Sequence, residues 1–244
     1  MTCVVVGASS GLGRALAEEL ARGGHPLVLV SSDERDLVPM ASDLTVRFGV
    51  GVRTVAADAA DHVALAAALD RAVPSDQEVA ALLFPVGAVE QGDDGRLEPE
   101  MAERLVRVNL LSVSSVVGRL LPRLISQGRG AIVGFGSVAA LRGRSSNVVY
   151  AAAKRSLESY FESLRHASES RGLSVAFYVL GYLDTQLSYG RRLLLPKADP
   201  RQVAKRVCRA LGRERGRHYV PWFWYPVGIL LRAIPWAVFR RLDF

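Results

Sequence analysis

Three features of the sequence predict a single α/β domain built on a parallel sheet wound in both directions. Short runs rich in Val, Leu and Ile recur along the first 180 residues, helical patterns separate them, and a glycine cluster lies between the first run and the first helix. Apolar runs without strict alternation are the mark of strands buried on both faces. Strand–helix alternation with right-handed crossovers then gives a doubly wound sheet with helices on both faces.

The expected strands cover residues 2–6, 27–31, 52–56, 79–84, 131–136 and 174–180, and the expected helices 12–22, 34–47, 62–72, 100–126 and 148–171. At 244 residues the chain is long enough for one large domain and too short for two full ones. The reading divides it into a sheet domain over 1–218 and an extension over 219–244. No repeat or low-complexity linker interrupts the pattern. Cys3 and Cys208 match no metal spacing and read as small buried residues in a reducing compartment. No metal site is expected. The N-terminus enters an apolar run at once, without the basic and small-residue flanks of a signal peptide, so a cytoplasmic location is expected.

The charge is uneven. From 201 to 244 ten Lys/Arg oppose two acids, so this stretch carries +8 of the net +7 and the remainder about −1. Residues 219–239 hold a single charge, Arg232, with Trp222, Trp224, Trp236, Pro221, Pro226 and Pro235. Aromatics set among aliphatics and flanked by Arg240 and Arg241 predict an amphipathic element at a membrane surface, the inner face of the plasma membrane. The prolines leave too little continuous helix to span a bilayer. Nucleic acid is not expected, because the aromatics do not line a basic groove. A flap over the substrate or against a second subunit is the other reading.

The run Gly7-Ala8-Ser9-Ser10-Gly11-Leu12-Gly13 follows the first strand and opens the first helix. Glycines there let the backbone approach a pyrophosphate, and the helix N-terminus offers free N–H groups and a favourable dipole. The second strand ends in Ser31-Ser32-Asp33-Glu34-Arg35. Asp33 suits the ribose 2′-hydroxyl of NAD, whereas Ser32 with Arg14 or Arg35 suits the 2′-phosphate of NADP, and both cofactors stay open. Tyr150 and Lys154 stand at i and i+4 on one helix face, an arrangement in which an ammonium lowers a tyrosine pKa toward neutrality. Ser137, at the end of the fifth strand, can polarise a carbonyl, and Asn109 falls inside a helix where asparagine is poorly suited.

Together these residues resemble the short-chain dehydrogenase/reductase family, from Thr2 to about Thr185. The resemblance implies a Rossmann-type fold and NAD(H) or NADP(H). It implies that Tyr150 is the proton donor, Lys154 a ribose ligand that tunes it, Ser137 a substrate ligand, and Asn109 part of a water-linked path to the lysine. It also implies that Asp58 contacts the adenine, that Gly87 and Gly181 border the cofactor, that Thr185 meets the nicotinamide amide, and that copies of the chain associate through the helices holding Asn109 and Tyr150. Two motifs depart from the family pattern: Asn-Asn-Ala-Gly is Phe84-Pro85-Val86-Gly87 here, and Pro-Gly is Leu180-Gly181.

Residues 143–147, 180–185 and 234–242 further resemble the reductase subunits of decaprenylphosphoryl-ribose 2′-epimerases and related polysaccharide-biosynthesis dehydrogenases. That likeness implies a keto group on a polyprenyl-phosphate-linked sugar, produced by a flavoprotein oxidase partner. Residues 180–200, with Gln186, Tyr189, Arg191, Arg192 and Leu193–Leu195, read as a segment over the substrate. Another lipidic carbonyl or alcohol (steroid, retinoid, fatty acyl) and a non-catalytic nucleotide-binding scaffold are the competing expectations.

Overall fold

The structure is a computed structural model and describes residues 1–9, 11–184 and 196–241. Seven parallel strands form one sheet in the order β3-β2-β1-β4-β5-β6-β7. They are β1 (Thr2–Val6), β2 (Leu27–Ser31), β3 (Val52–Ala56), β4 (Val79–Phe84), β5 (Gly130–Ser137), β6 (Leu173–Leu180) and β7 (Gly216–Val220). The first four have the expected bounds, and β5 and β6 extend by one or two residues. The seventh strand was not expected. Its sequence, Gly-Arg-His-Tyr-Val, lacks an apolar run because β7 lies at the sheet edge, paired only with β6 and only partly buried. The sheet therefore continues to Val220, two residues past the boundary read from the sequence.

Helices cover both faces. On one side lie α1 (Gly11–Arg22), α2 (Glu34–Phe48) and α7 (Pro200–Ala210), which bury Leu16, Leu20, Leu37, Leu44, Val203 and Val207 against β1, β2 and β6. On the other lie α3 (His62–Ala72), α5 (Ser112–Gln127) and α6 (Val148–Ser168), with Leu65, Leu69, Val116, Leu120, Leu157 and Phe161 on the opposite sheet surface. The single helix expected over 100–126 is α4 (Pro99–Val106), a π-helical turn (Arg107–Leu111) and α5. Cys3 and Cys208 are unbonded, and burial pushes both thiols up to about 12, so neither is a thiolate at neutral pH.

The tail is clasped to the sheet domain. Beyond Val220 come α8 (Trp224–Ala233) and α9 (Trp236–Phe239). The Trp224 indole is 4% exposed and rests on Gly181, where even a methyl group would collide with it. It also packs edge-on to Tyr182 at 5.6 Å between ring centroids. Gly228 packs on Leu141, and Arg232 Nε donates to the Leu141 carbonyl at 3.1 Å. Arg142 donates to the carbonyls of Leu231 and Ile234 and places its guanidinium 3.9 Å from the centre of the Phe239 ring. The helices thus brace the loop after β5 and the loop after β6. Trp222, Tyr225, Ile229, Leu230, Trp236 and Val238 remain on the outside.

Candidate active site

The carboxyl ends of the strands open on a cleft of about 440 Å³, within the range of small-molecule sites. At its floor the chain leaves β1 through Gly7, where φ is +91° and a Cβ would stand 2.7 Å from Val86 Cα, so there is no room for a side chain. Gly13 lies over the Gly7 carbonyl so closely that a Cβ there would overlap it. Two missing side chains let α1 rest on the end of β1 and aim its N-terminus into the cleft, which Gly7, Ser9, Gly11 and Leu12 line. Ser31 Oγ donates to Ser9 Oγ at 2.8 Å. A bare backbone and a helix N-terminus at the end of β1 fit a pyrophosphate. Gly13 does not line the cleft; it supports Gly7 from behind.

At the ribose end, Ser32 lines the cleft and Asp33 does not. Asp33 is the N-cap of α2: its Oδ1 accepts from Arg35 N at 2.9 Å, and the Arg35 guanidinium holds both oxygens. That pairing, and the cap N–H after it, hold the Asp33 carboxyl below its usual range. Arg14 Nε is directed to the Ser9 carbonyl at 3.1 Å. Asp58 lines the cleft and accepts from Ala60 N at 2.9 Å and from Arg104 at 3.1 Å, which lower its pKa. Asp61 is the cap of α3, accepting from Ala64 N, so Asp58 is not needed there.

At the other end, Tyr150 and Lys154 line the cleft from α6, with Ser137 at the tip of β5. Burial raises the Tyr150 pKa, while the Ser137 hydroxyl bonded to it and the charge of Arg144 pull it down. Lys154 was expected to be the group that lowers it. Instead Lys154 Nζ donates to the carbonyls of Val86 at 3.2 Å and Phe135 at 3.3 Å, and burial lowers its own pKa to about 8. Asn109 and Lys154 converge on Gly87, where a Cβ would stand 3.1 Å from Asn109 Oδ1 and 3.2 Å from Lys154 Nζ. Asn109 is fully buried in the π-helical turn. Its Nδ2 donates to the carbonyls of Ala88 and Leu105, and its Oδ1 accepts from Ala88 N. The awkward asparagine coincides with a break in α-helical bonding, a common companion of functional sites.

Gly181 lies against Trp224 and does not itself line the cleft, although Leu180 and Leu183 on either side of it do. Ser10, Thr185, Gln186, Tyr189, Arg191, Arg192 and Leu193–Leu195 lie outside the described residues.

Asp93 is a residue the sequence reading missed. Its carboxylate, 4% exposed, accepts from Val149 N and Tyr150 N at 2.9 Å each, and its carbonyl accepts from Val148 N at 3.1 Å. Asn147, the local cap residue, has φ +55° and makes no side-chain cap bond. The catalytic helix is therefore capped by a side chain 56 residues upstream of Val149, and cap signals in sequence are local.

A cleft with a pyrophosphate cradle at one end and a half-buried tyrosine at the other suits hydride transfer to or from a carbonyl or alcohol carbon. By class the protein is an NAD(P)-dependent oxidoreductase. It belongs to the short-chain dehydrogenase family, whose model matches residues 1–193. An uncharacterized oxidoreductase of Mycobacterium tuberculosis is 27% identical over 241 residues, covering 98% of this chain and 96% of the relative. The very-long-chain 3-oxoacyl-CoA reductase of Rattus norvegicus is 26% identical over 217 residues, covering 86% of this chain and 68% of the relative. A short-chain dehydrogenase from Sphingobium yanoikuyae, solved in complex with NADPH, is 26% identical with a TM-score of 0.83 over 97% of both chains. A 7β-hydroxysteroid dehydrogenase structure, 20% identical, shares the fold with a TM-score of 0.88 over 98% of this chain and 95% of that one.

Two outcomes are expected. Asp93→Ala removes the cap of α6, costing about 0.5–2 kcal/mol of stability. It lowers kcat more than it raises the cofactor Kd, as steady-state kinetics and NADPH fluorescence titration will read; equal effects on both would count against a positioning role. Lys154 is harder to charge in the fold than in the unfolded chain, so the unfolded state binds more protons between about pH 8 and its normal pKa. Stability of the cofactor-free protein should rise with pH over that window, and Lys154→Met should flatten the rise in calorimetric scans.

Proposed function

We propose that the protein reduces a keto group on a substrate carried by a long apolar chain, at the surface of a membrane. The leading substrate is a polyprenyl-phosphate-linked keto-sugar, the 2-keto-pentose of an epimerisation, supplied by a flavoprotein oxidase. The observation that carries this reading is the tail. Its inner side grips the two loops beside the catalytic end, and its outer side presents Trp222 at 77%, Leu230 at 65% and Trp236 at 66% exposure, beside Arg240 and Arg241. Interfacial tryptophans with arginines suit an anionic lipid surface, and this supports the reading that the protein works on the cytoplasmic side of a membrane. Association of copies through α5 and α6 is part of the same reading.

Gly7, Ser9, Gly11 and Leu12 would hold the pyrophosphate at the N-terminus of α1, and Ser32, Asp58 and Gly87, which also line the cleft, would border the rest of the dinucleotide. When bound, the nicotinamide supplies the hydride. Tyr150 gives its phenolic proton to the carbonyl oxygen, and burial keeps that proton in place until the oxygen becomes basic. Ser137 donates to the same oxygen and polarises the carbonyl. Lys154, held between the Val86 and Phe135 carbonyls, is placed to bond ribose hydroxyls, and Asn109 fixes the 86–88 backbone beside it. A second reading, reduction of a long-chain 3-oxoacyl thioester, is favoured by the likeness to very-long-chain 3-oxoacyl-CoA reductases.

The test is NADH and NADPH oxidation by the purified protein. One arm supplies a polyprenyl-phospho-sugar with a flavoprotein oxidase, the other 3-oxohexadecanoyl-CoA. Consumption only when the keto-sugar forms supports the leading reading, and consumption with the thioester alone selects the second. Tyr150→Phe should abolish turnover while keeping the cofactor Kd; full activity in that variant would refute the mechanism. For the membrane, wild-type protein should co-sediment with phosphatidylglycerol vesicles. A variant with Trp222, Leu230 and Trp236 all changed to Ala should stay in the supernatant. These three side chains are on the outside, so the clasp survives the change; retained sedimentation would end the membrane reading.

A further inference from the structure

The choice between NAD(H) and NADP(H) turns on the corner where β1 gives way to α1 and β2 to α2. A free 2′-hydroxyl is recognised by a carboxylate that accepts from the ribose, and a 2′-phosphate by donors and positive charge. Ser9, Ser31 and Ser32 line the cleft at this corner, and no acid lines it with them. Among the described residues the acid that lines the cleft is Asp58, which follows β3 and is held by Ala60 N and Arg104. Asp33 stands nearest in sequence, but both of its oxygens are engaged. Its Oδ1 accepts from Arg35 N and Nε, and its Oδ2 from the end of the same guanidinium. That carboxylate serves α2, outside the cleft.

Arg14 stands on the other side of the corner. It is exposed on the first turn of α1, and its Nε donates to the Ser9 carbonyl at 3.1 Å. The bond pins the guanidinium beside a residue that lines the cleft and leaves the two terminal nitrogens without a partner among the described residues. Glu18, one turn along α1, is bonded to Arg22 and Arg47 instead. Arg14 itself lines an adjoining groove of about 430 Å³ between α1, α2 and the start of α7, with Arg35, Arg47 and Arg201. Cleft and groove meet at Ser9. Because Ser31 Oγ donates to Ser9 Oγ, the Ser9 hydroxyl proton is left to be given to a ligand.

We propose that this corner is a 2′-phosphate subsite, with Arg14 as its anchor and the hydroxyls of Ser9 and Ser32 as its donors, so that the protein takes NADPH in preference to NADH. A phosphate monoester carries about −1.5 to −2 charges at neutral pH. Arg14 meets it with a fork whose direction the Ser9 carbonyl has already set, so little freedom is lost on binding. Arg35 neutralises Asp33, and the phosphate therefore meets no unpaired carboxylate at the end of β2. The subsite lies at the end of the cleft away from Tyr150 and does not depend on which ketone is reduced.

Binding without turnover tests it. In calorimetric titration of the purified protein, 2′,5′-ADP should bind about tenfold or more tighter than 5′-AMP, the range of a charge-assisted hydrogen bond. Fluorescence titration should place NADPH above NADH in the same way, and added salt should weaken NADPH more than NADH. Arg14→Gln should bring both ratios close to one by weakening the phosphorylated ligand, with far less change for NADH. Arg14→Lys should keep part of the preference. Ser32→Asp puts an unpaired carboxylate into the cleft and should reverse the order. NADH bound as tightly as NADPH by the wild type, or a preference that survives in Arg14→Gln, overturns the proposal. So does a loss of NADH affinity in Asp33→Asn, a change that keeps the helix cap, because it would put the Asp33 carboxylate on the ribose. If the preference holds while no ketone is consumed, the long-chain ketone reading falls and the subsite stands.

Discussion

How closely α1 lies on the end of β1 governs the whole cleft. The contact between Gly13 and the Gly7 carbonyl is possible only because no Cβ stands between them. A methyl group at Gly13 would lift the helix, turn its N-terminus away and move Gly7 against Val86. Val86 in turn carries the carbonyl that receives Lys154, and Gly87 beside it packs on Asn109 and Lys154. The cradle at one end and the catalytic lysine at the other thus meet through one stretch of backbone, residues 86–88. The dinucleotide site and the proton-handling site are set by the same close packing.

The catalytic end is governed by burial more than by paired charge. Lys154 sits among carbonyls with no carboxylate partner among the described residues, and desolvation brings its pKa down to about 8. Tyr150 is pushed up by the same burial and drawn back by Ser137 and Arg144. Burial thus acts oppositely on the two groups, tightening the hold of Tyr150 on its proton and loosening that of Lys154. The helix that carries both is fastened by Asp93, so the loop between β4 and α4 is a structural part of the catalytic machinery although it contributes no reacting group.

Much of this was legible in the sequence, and the remainder was hidden for physical reasons. Strands buried on both faces, such as Val79–Phe84, declare themselves because every side chain must be apolar. The edge strand Gly216–Val220 does not, because one side of it meets solvent, and its Arg and His read as surface. The glycine cradle, Asp61 as a cap and the Tyr150–Lys154 pair depend on neighbours within a few residues, and all could be read locally. Asp93 capping α6, Asp33 withdrawn from the cleft to its own helix and Arg35, and Trp224 seated on Gly181 depend on where the chain returns in space. Local pattern carries no trace of such returns. The tail was read correctly as aromatic and basic, but its inner face could be seen only once Leu141 and Gly181 stood beneath it.

The clasp between α8 and the two catalytic-side loops makes the outer surface of the protein and its interior thermodynamic partners. Arg142 and Arg232 bond directly across that seam, and Trp224 closes it. Whatever orders the loop holding Arg144 also orders α8, and whatever steadies α8 from outside also steadies that loop. The tail is therefore part of the frame of the catalytic end, and its order and that of the two loops beneath it stand or fall together.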